Sequence, residues 1–188
     1  MADLEVLGIA GSLRAGSYNR ALLRAAGEVA PAGMSIRAWD GLRDVPPYDG
    51  DVEARGLPAA VEAMHAALRG AGALLVVTPE YNHSLPGVLK NAIDWASRPA
   101  GKSSLAGKVA AIAGASPGPM GTVRAQMDLR RTLATAGAFV VPAPEVLVAN
   151  ASQKFDADGR LVDEATRRYL GKLLAALASW HGRLAAGA

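Results

Sequence analysis

Cysteine is absent from the 188 residues, which removes disulfides, thiolate nucleophiles and cysteine-ligated zinc or iron–sulfur centres. Long apolar runs are absent too: no stretch approaches the ~18 residues of a membrane span, so no membrane partner is expected. The N-terminus, Met1-Ala2-Asp3-Leu4-Glu5, is acidic and has no apolar secretory segment. The expectation is a soluble, cytoplasmic protein. Charge of one sign is nowhere concentrated: 20 basic against 17 acidic residues leave +3. Without a basic stripe, nucleic acid is not an expected partner, and a mild attraction for small anions is all the balance supports. His65, His83 and His181 lie far apart with no ligand spacing, so no metal is expected. Nine aromatic residues is also few.

What is present is organised around residues 4–20. The apolar run Leu4 to Ala10 stops at small residues and gives way to Gly11-Ser12-Leu13-Arg14-Ala15-Gly16-Ser17-Tyr18-Asn19-Arg20, after which a helical pattern begins. This reads as strand, loop and helix. Gly11 and Gly16 allow tight turning, Ser12, Ser17 and Asn19 offer donors, and Arg14 offers a planar cation. Ser17 is a good N-cap, which aims the next helix's free N–H groups at the same hollow. The loop reads as a cradle for a terminal phosphate, weighed against an ordinary strand-to-helix turn without a ligand. A dinucleotide fingerprint fails because the glycines fall at 8, 11 and 16. A P-loop fails because Ser17 stands where its lysine is required.

Further along, Ala21 to Val29 continues the helix as far as Pro31, and Met34, Ile36 and Ala38 mark a second strand. Residues 41–56 are turn-rich and break any regular element. A helix from Pro58 to Gly70 follows, with His65 on its surface. The run Gly72 to Thr78 has the composition of a strand buried on both faces, and it ends in a second unusual loop, Pro79 to Gly87. After a helix, a fourth strand from Lys108 to Gly114 leads into a third loop, Ala115 to Gly121, and a helix from Thr122 to about Ala136. A Pro-interrupted fifth strand spans 138–141 and 145–148, and a C-terminal helix carries Leu170, Leu173, Leu174, Leu177 and Trp180 on one core stripe. Five alternations of strand and helix predict an α/β fold, one domain over residues 1–188 with a five-stranded parallel sheet covered on both faces. In the order 2-1-3-4-5, the three loops would meet at the crevice where such sheets bind a mononucleotide.

The stretches at 11–20 and at 79–95, Pro-Glu-Tyr-Asn-His-Ser-Leu-Pro-Gly-Val-Leu-Lys-Asn-Ala-Ile-Asp-Trp, together resemble the NADPH-dependent FMN reductase family. The similarity covers most of the chain. It implies a flavodoxin-like fold and an oxidoreductase with FMN as cofactor and NADPH or NADH as co-substrate. Quinones or other small electron acceptors, chromate and azo dyes among them, would be reduced by two-electron ping-pong transfer. A flavodoxin-type single-electron carrier is the alternative, although such carriers are usually strongly acidic and this chain is basic.

By the same resemblance Ser12, Arg14, Gly16, Ser17, Tyr18 and Asn19 would hold the FMN phosphate. Pro79, Glu80, Tyr81, Asn82 and His83 would lie along the isoalloxazine, and Ser116 with Gly118 would close its pyrimidine side. Tyr18, Tyr48 and Tyr81 are the aromatic residues expected near it. For Tyr81 a packing role, and for Glu80 a solvated loop acid, stay open as alternatives. No catalytic acid or base is assigned. His83 and Met127 stand where similar proteins often carry tyrosine. A homodimer or homotetramer is implied, with Trp95, Met127 and the surroundings of Asp94 at the contact.

Overall fold

In the computed structural model, which describes residues 4–187, the chain alternates as expected. Expectations touching residues 1–3 and 188, including the ends of the 1–188 domain, lie outside the described residues. The strands are β1 (Leu4–Ala10), β2 (Met34–Ala38), β3 (Ala73–Val77), β4 (Val109–Ala115), β5 (Phe139–Val140) and β6 (Val146–Val148). The α-helices are α1 (Tyr18–Glu28), α2 (Gly50–Arg55), α3 (Ala59–Gly70), α4 (Gly87–Ala96), α5 (Val123–Thr135) and α6 (Glu164–Ala186). All strand pairings between named strands are parallel, in the order β2-β1-β3-β4-β5, and β6 pairs with β4 beyond β5. The interrupted fifth strand is thus two short strands on one neighbour. Pro142 and Pro144 between them cannot donate to a ladder, which divides the pairing.

Burial follows composition. β3 is Ala-Leu-Leu-Val-Val and wholly buried, and β4 is wholly buried as well, as befits strands with helices on both faces. One face carries Leu22, Ala25 and Ala26 of α1 with Leu170, Leu173, Leu174 and Leu177 of α6. The other carries Val61, Met64 and Leu68 of α3, Leu89 and Ile93 of α4, and Leu129 and Leu133 of α5. The helices after β1 and β3 therefore leave to opposite faces. Register sets where the loops meet: Ala10 aligns with Val77, Val77 with Ala113 and Ala113 with Val146. The loops after β1, β3 and β4 leave the sheet side by side.

Several local expectations are corrected. Residues 41–56 are not free of regular structure: Asp49 caps α2, its Oδ1 accepting the Asp51 N–H at 2.8 Å. Its neighbour Pro46 is pinned by Asn91 Nδ2 at 2.8 Å and Trp95 Nε1 at 2.9 Å, which both donate to its carbonyl. Trp95 is therefore fully buried and unavailable to a subunit contact, whereas Met127 is 66 % exposed. Tyr48 stacks edge-on against Trp95, centroids 5.0 Å apart, and donates its hydroxyl to Glu53 at 2.8 Å. It belongs to this packing unit and lines none of the loop crevice. His65 is 1 % exposed, not on the surface, and Ser104 Oγ lies 2.6 Å from its Nδ1. Trp180 is 38 % exposed, outside the buried part of its stripe.

Candidate active site

Ladder hydrogen bonds continue one residue past the strands: the Gly11 N–H donates to Val77 O at 2.8 Å, Thr78 N–H to Ala113 O at 2.9 Å and Ser116 N–H to Val148 O at 2.9 Å. They hold the starts of the loops rigidly alongside one another. A crevice of about 80 Å³ lies between them, lined by Ser12, Arg14, Ser17, Tyr18, Asn19, Pro79, Glu80, Tyr81, Ala115, Ser116 and Pro117. Residues from three loops, chosen from sequence for different reasons, line one hollow.

The first loop has the chemistry of an anion site. Ser17 caps α1, its Oγ accepting the Asn19 N–H at 3.1 Å. Among the described residues, the backbone N–H groups of Ser12, Leu13, Ala15, Gly16, Ser17 and Tyr18 have no protein acceptor. Those of Ser17 and Tyr18 sit at the N-terminus of α1, the positive end of its dipole. Arg14 is exposed and, among the described residues, has no carboxylate partner. Gly16 does not have a positive φ, and a Cβ there would meet nothing within 4 Å. The fold itself does not require that glycine; a ligand lying close against the backbone would. Gly11 is different, since a Cβ would come within 2.9 Å of Leu89 Cδ2 and 3.3 Å of Pro79 Cδ, so a side chain there would have to displace the packing under the loop.

Asn19 lines the crevice and also has a structural tie. Its Nδ2 donates to Ala115 O at 2.9 Å and its Oδ1 accepts the Ala115 N–H at 2.8 Å, both buried. Its amide ties α1 to the end of β4 and shapes the crevice, with its acceptor already used. Glu80 is not a solvated loop acid either. Its Oε2 accepts the N–H groups of Arg124 at 3.0 Å and Ala125 at 3.2 Å, capping α5, and Arg124 Nη1 lies 3.3 Å from Oε1. Tyr81 has an exposed ring, not a packing role, with its hydroxyl 3.5 Å from Ser12 Oγ. Tyr81 and Ser84 exchange backbone hydrogen bonds at 3.0 and 3.1 Å around Asn82 and His83, both at positive φ. That hairpin tip is exposed and, unlike Tyr81, does not line the crevice. Gly118 lies outside it too. Its N–H donates to Ser116 Oγ at 3.1 Å and its carbonyl accepts the Asn150 N–H at 3.1 Å, which stiffens the third loop.

Sequence reasoning missed the segment Phe155–Leu161. These two residues form an antiparallel bridge, the Phe155 ring lies 5.4 Å from that of Tyr18, and Arg24 Nη2 donates to Gly159 O at 3.4 Å. Asp156-Ala157-Asp158-Gly159 between two apolar residues is a turn signature that would have located it. Also missed was Arg43, whose Nη2 donates to Leu13 O at 2.9 Å and braces the first loop from outside.

Residues 4–153 match the family described as NADPH-dependent FMN reductase. The chain is 50% identical over 182 residues to the NAD(P)H-dependent FMN reductase of Pseudomonas aeruginosa, covering 97% of each. It is 42% identical over 175 residues to the quinone reductase of Escherichia coli K12, covering 92% of this chain and 93% of that protein. Among solved structures, FerB, a flavoenzyme NAD(P)H:(acceptor) oxidoreductase from Paracoccus denitrificans, matches with a TM-score of 0.87 at 34% identity, covering 96% of this chain and 98% of its own. With its parallel sheet, its strand-end crevice and these relatives, the chain belongs to the NADPH-dependent FMN reductase family and is an FMN-dependent NAD(P)H oxidoreductase.

Proposed function

We propose that this enzyme reduces quinones and related flat small acceptors, using NADPH or NADH, as one domain in the cytoplasm and as a homodimer or homotetramer. The observation that carries the reading is the convergence of three strand-end loops on one crevice, where among the described residues the Ser17 and Tyr18 N–H groups at the start of α1 have no protein acceptor. Relatives named quinone reductase and 2-hydroxy-1,4-benzoquinone reductase support the acceptor class. For the location, the support is that among the described residues no helix is long and apolar enough to cross a membrane. Exposed Met127 on α5 supports the oligomer.

When bound, FMN supplies the chemistry, accepting a hydride from the nicotinamide and passing two electrons to the acceptor. The protein's part is to bind and orient. Ser12, Ser17 and the 12–18 backbone would hold the phosphate, with Arg14 adding a charge-assisted contact. Pro79 and the Tyr81–Ser84 pairing keep the second loop's backbone in one conformation, and Ser116 with Gly118 does the same for the third. Preorganised backbone donors of this kind need no rearrangement during reaction. No side chain in the crevice is required as an acid or base. With few aromatic residues at hand to cover both ring faces, one face stays open and donor and acceptor use it in turn. Initial rates with NAD(P)H and a quinone would give parallel double-reciprocal lines. Stopped-flow mixing of the FMN-loaded protein with NADPH and with NADH tests the reading: bleaching much faster than free FMN with at least one donor is expected. Bleaching no faster with either would overturn it.

A further inference from the structure

Beside the crevice, and sharing Arg14 and Tyr81 with it, lies a groove of about 490 Å³. Its apolar surface comes from Leu13, Pro86 and Val88 together with the exposed Tyr81 ring. Among the described residues no carboxylate lines it, whereas two guanidinium groups do, those of Arg14 and Arg43. Arg43 is held in place there. Its Nη2 donates to Leu13 O at 2.9 Å, which fixes the side chain against the first loop and leaves its charge and its other N–H groups unused. Among the described residues it has no carboxylate within ion-pair distance.

The acids on the adjoining elements do not cancel that charge. Asp40 pairs with Arg20 at 2.9 Å and Asp94 with Lys90 at 2.7 Å. Asp44 is exposed and lines none of the groove. The N–H groups of Gly87 and Val88, at the start of α4 and on the groove wall, have no protein acceptor among the described residues and add the positive end of a helix dipole. With Arg14 given to the flavin phosphate, Arg43 and this helix end still leave the groove positive. We propose that the groove takes the far end of the electron acceptor, and that Arg43 makes the enzyme favour aromatic acceptors carrying an acid group, such as quinones with a sulfonate or carboxylate on the ring. The apolar walls suit the flat ring, and the guanidinium fork suits the acid group. The proposal rests on the quinone-reductase reading above. The reaction is unaltered: NAD(P)H gives up a hydride, and the quinone gains two electrons and, with one proton from solvent, two hydrogens, leaving as the hydroquinone.

The test measures kcat/KM of the FMN-loaded full chain for menadione and for its analogue with a sulfonate in place of the methyl group. The ratio of the two is taken on one preparation, so that flavin content and any loosening of the first loop cancel. In Arg43→Gln the sulfonate-to-menadione ratio should fall about fivefold or more. In Arg43→Lys, which keeps the charge and loses the fork, it should fall by about twofold or less. Added salt should lower the ratio more in wild type than in Arg43→Gln. A ratio unmoved in Arg43→Gln, or one that falls equally in both variants, overturns the proposal and leaves the reductase reading standing. An NADPH-to-NADH ratio that moves in Arg43→Gln while the quinone ratio stays overturns it as well, and gives the groove to the phosphate of the donor. Failure of the FMN-loaded wild type to reduce either quinone overturns the reductase reading itself.

Discussion

Glu80 reaches across the site to hold Arg124, accepting its backbone N–H at 3.0 Å and lying 3.3 Å from its guanidinium. The N-cap residue of α5, Thr122, makes no capping bond with its own side chain, so Glu80, 44 positions before Arg124, supplies the cap. A carboxylate there also faces the positive end of the helix dipole. Its side chain is only 11% exposed, which keeps the contact from being screened away. The second and third loops are thereby locked to each other.

Replacing Glu80 with Ala should cost ~1–2 kcal/mol, the usual range for a lost cap, and lower the melting temperature by roughly 2–8 °C for a chain of this size. Glu80→Gln keeps an acceptor and should lose less. Thermal unfolding of the two variants side by side checks this; an Ala variant that melts with wild type would refute the capping role.

Asn19→Ala removes both buried hydrogen bonds to Ala115 and leaves that residue's N–H and carbonyl unpaired. The expected loss is roughly 2–4 kcal/mol, because unsatisfied buried groups carry their full desolvation cost. Urea unfolding measures it. Asn19→Asp should recover only part, since its second oxygen would face the Ala115 carbonyl.

Stability should fall as solutions are acidified from neutrality. Burial, with Arg69 adding to it, holds the His65 imidazole below its ordinary value. The unfolded chain therefore binds a proton that the folded one refuses, and stability rises with pH across that interval. The contribution is fully present above about pH 6.5, the unfolded value, and declines as pH drops below it toward the lowered folded value. Asp163, held below the usual carboxylate range by hydrogen bonds from Thr166, acts only at more acidic pH, near and below about 4. Urea midpoints at a series of pH values should slope downward below about 6.5 in wild type and flatten in His65→Gln. Equal slopes in the two proteins would contradict the assignment.

Much of this was legible because it is local. Leu4 to Ala10 and Ala73 to Val77 read as strands from composition, and the Gly and Ser residues of 11–17 announced a loop of unusual chemistry. What escaped depends on contacts distant in sequence. Nothing beside Asn19 foretells Ala115, and nothing beside Glu80 foretells α5. His65 looks like a surface position on its helix until Ser104 closes over it. Tyr48 and Trp95 look available in the sequence, yet the Pro46 carbonyl takes the Trp95 Nε1–H and Asn91 Oδ1 takes the Tyr48 N–H. The helix Gly50–Arg55 was hidden by the turn residues before it, although Asp49 is an ordinary cap.

The central claim is that the loop at 12–18 holds the terminal phosphate of a flavin. Fluorescence titration of the flavin-free protein with FMN and with riboflavin tests it most directly. The two differ only in the phosphate. FMN should bind far more tightly, and Arg14→Ala should weaken FMN by ~1.5–3 kcal/mol, the worth of a hydrogen bond to a charged group, while leaving riboflavin nearly unchanged. Equal affinity of the wild-type protein for FMN and riboflavin would contradict the account.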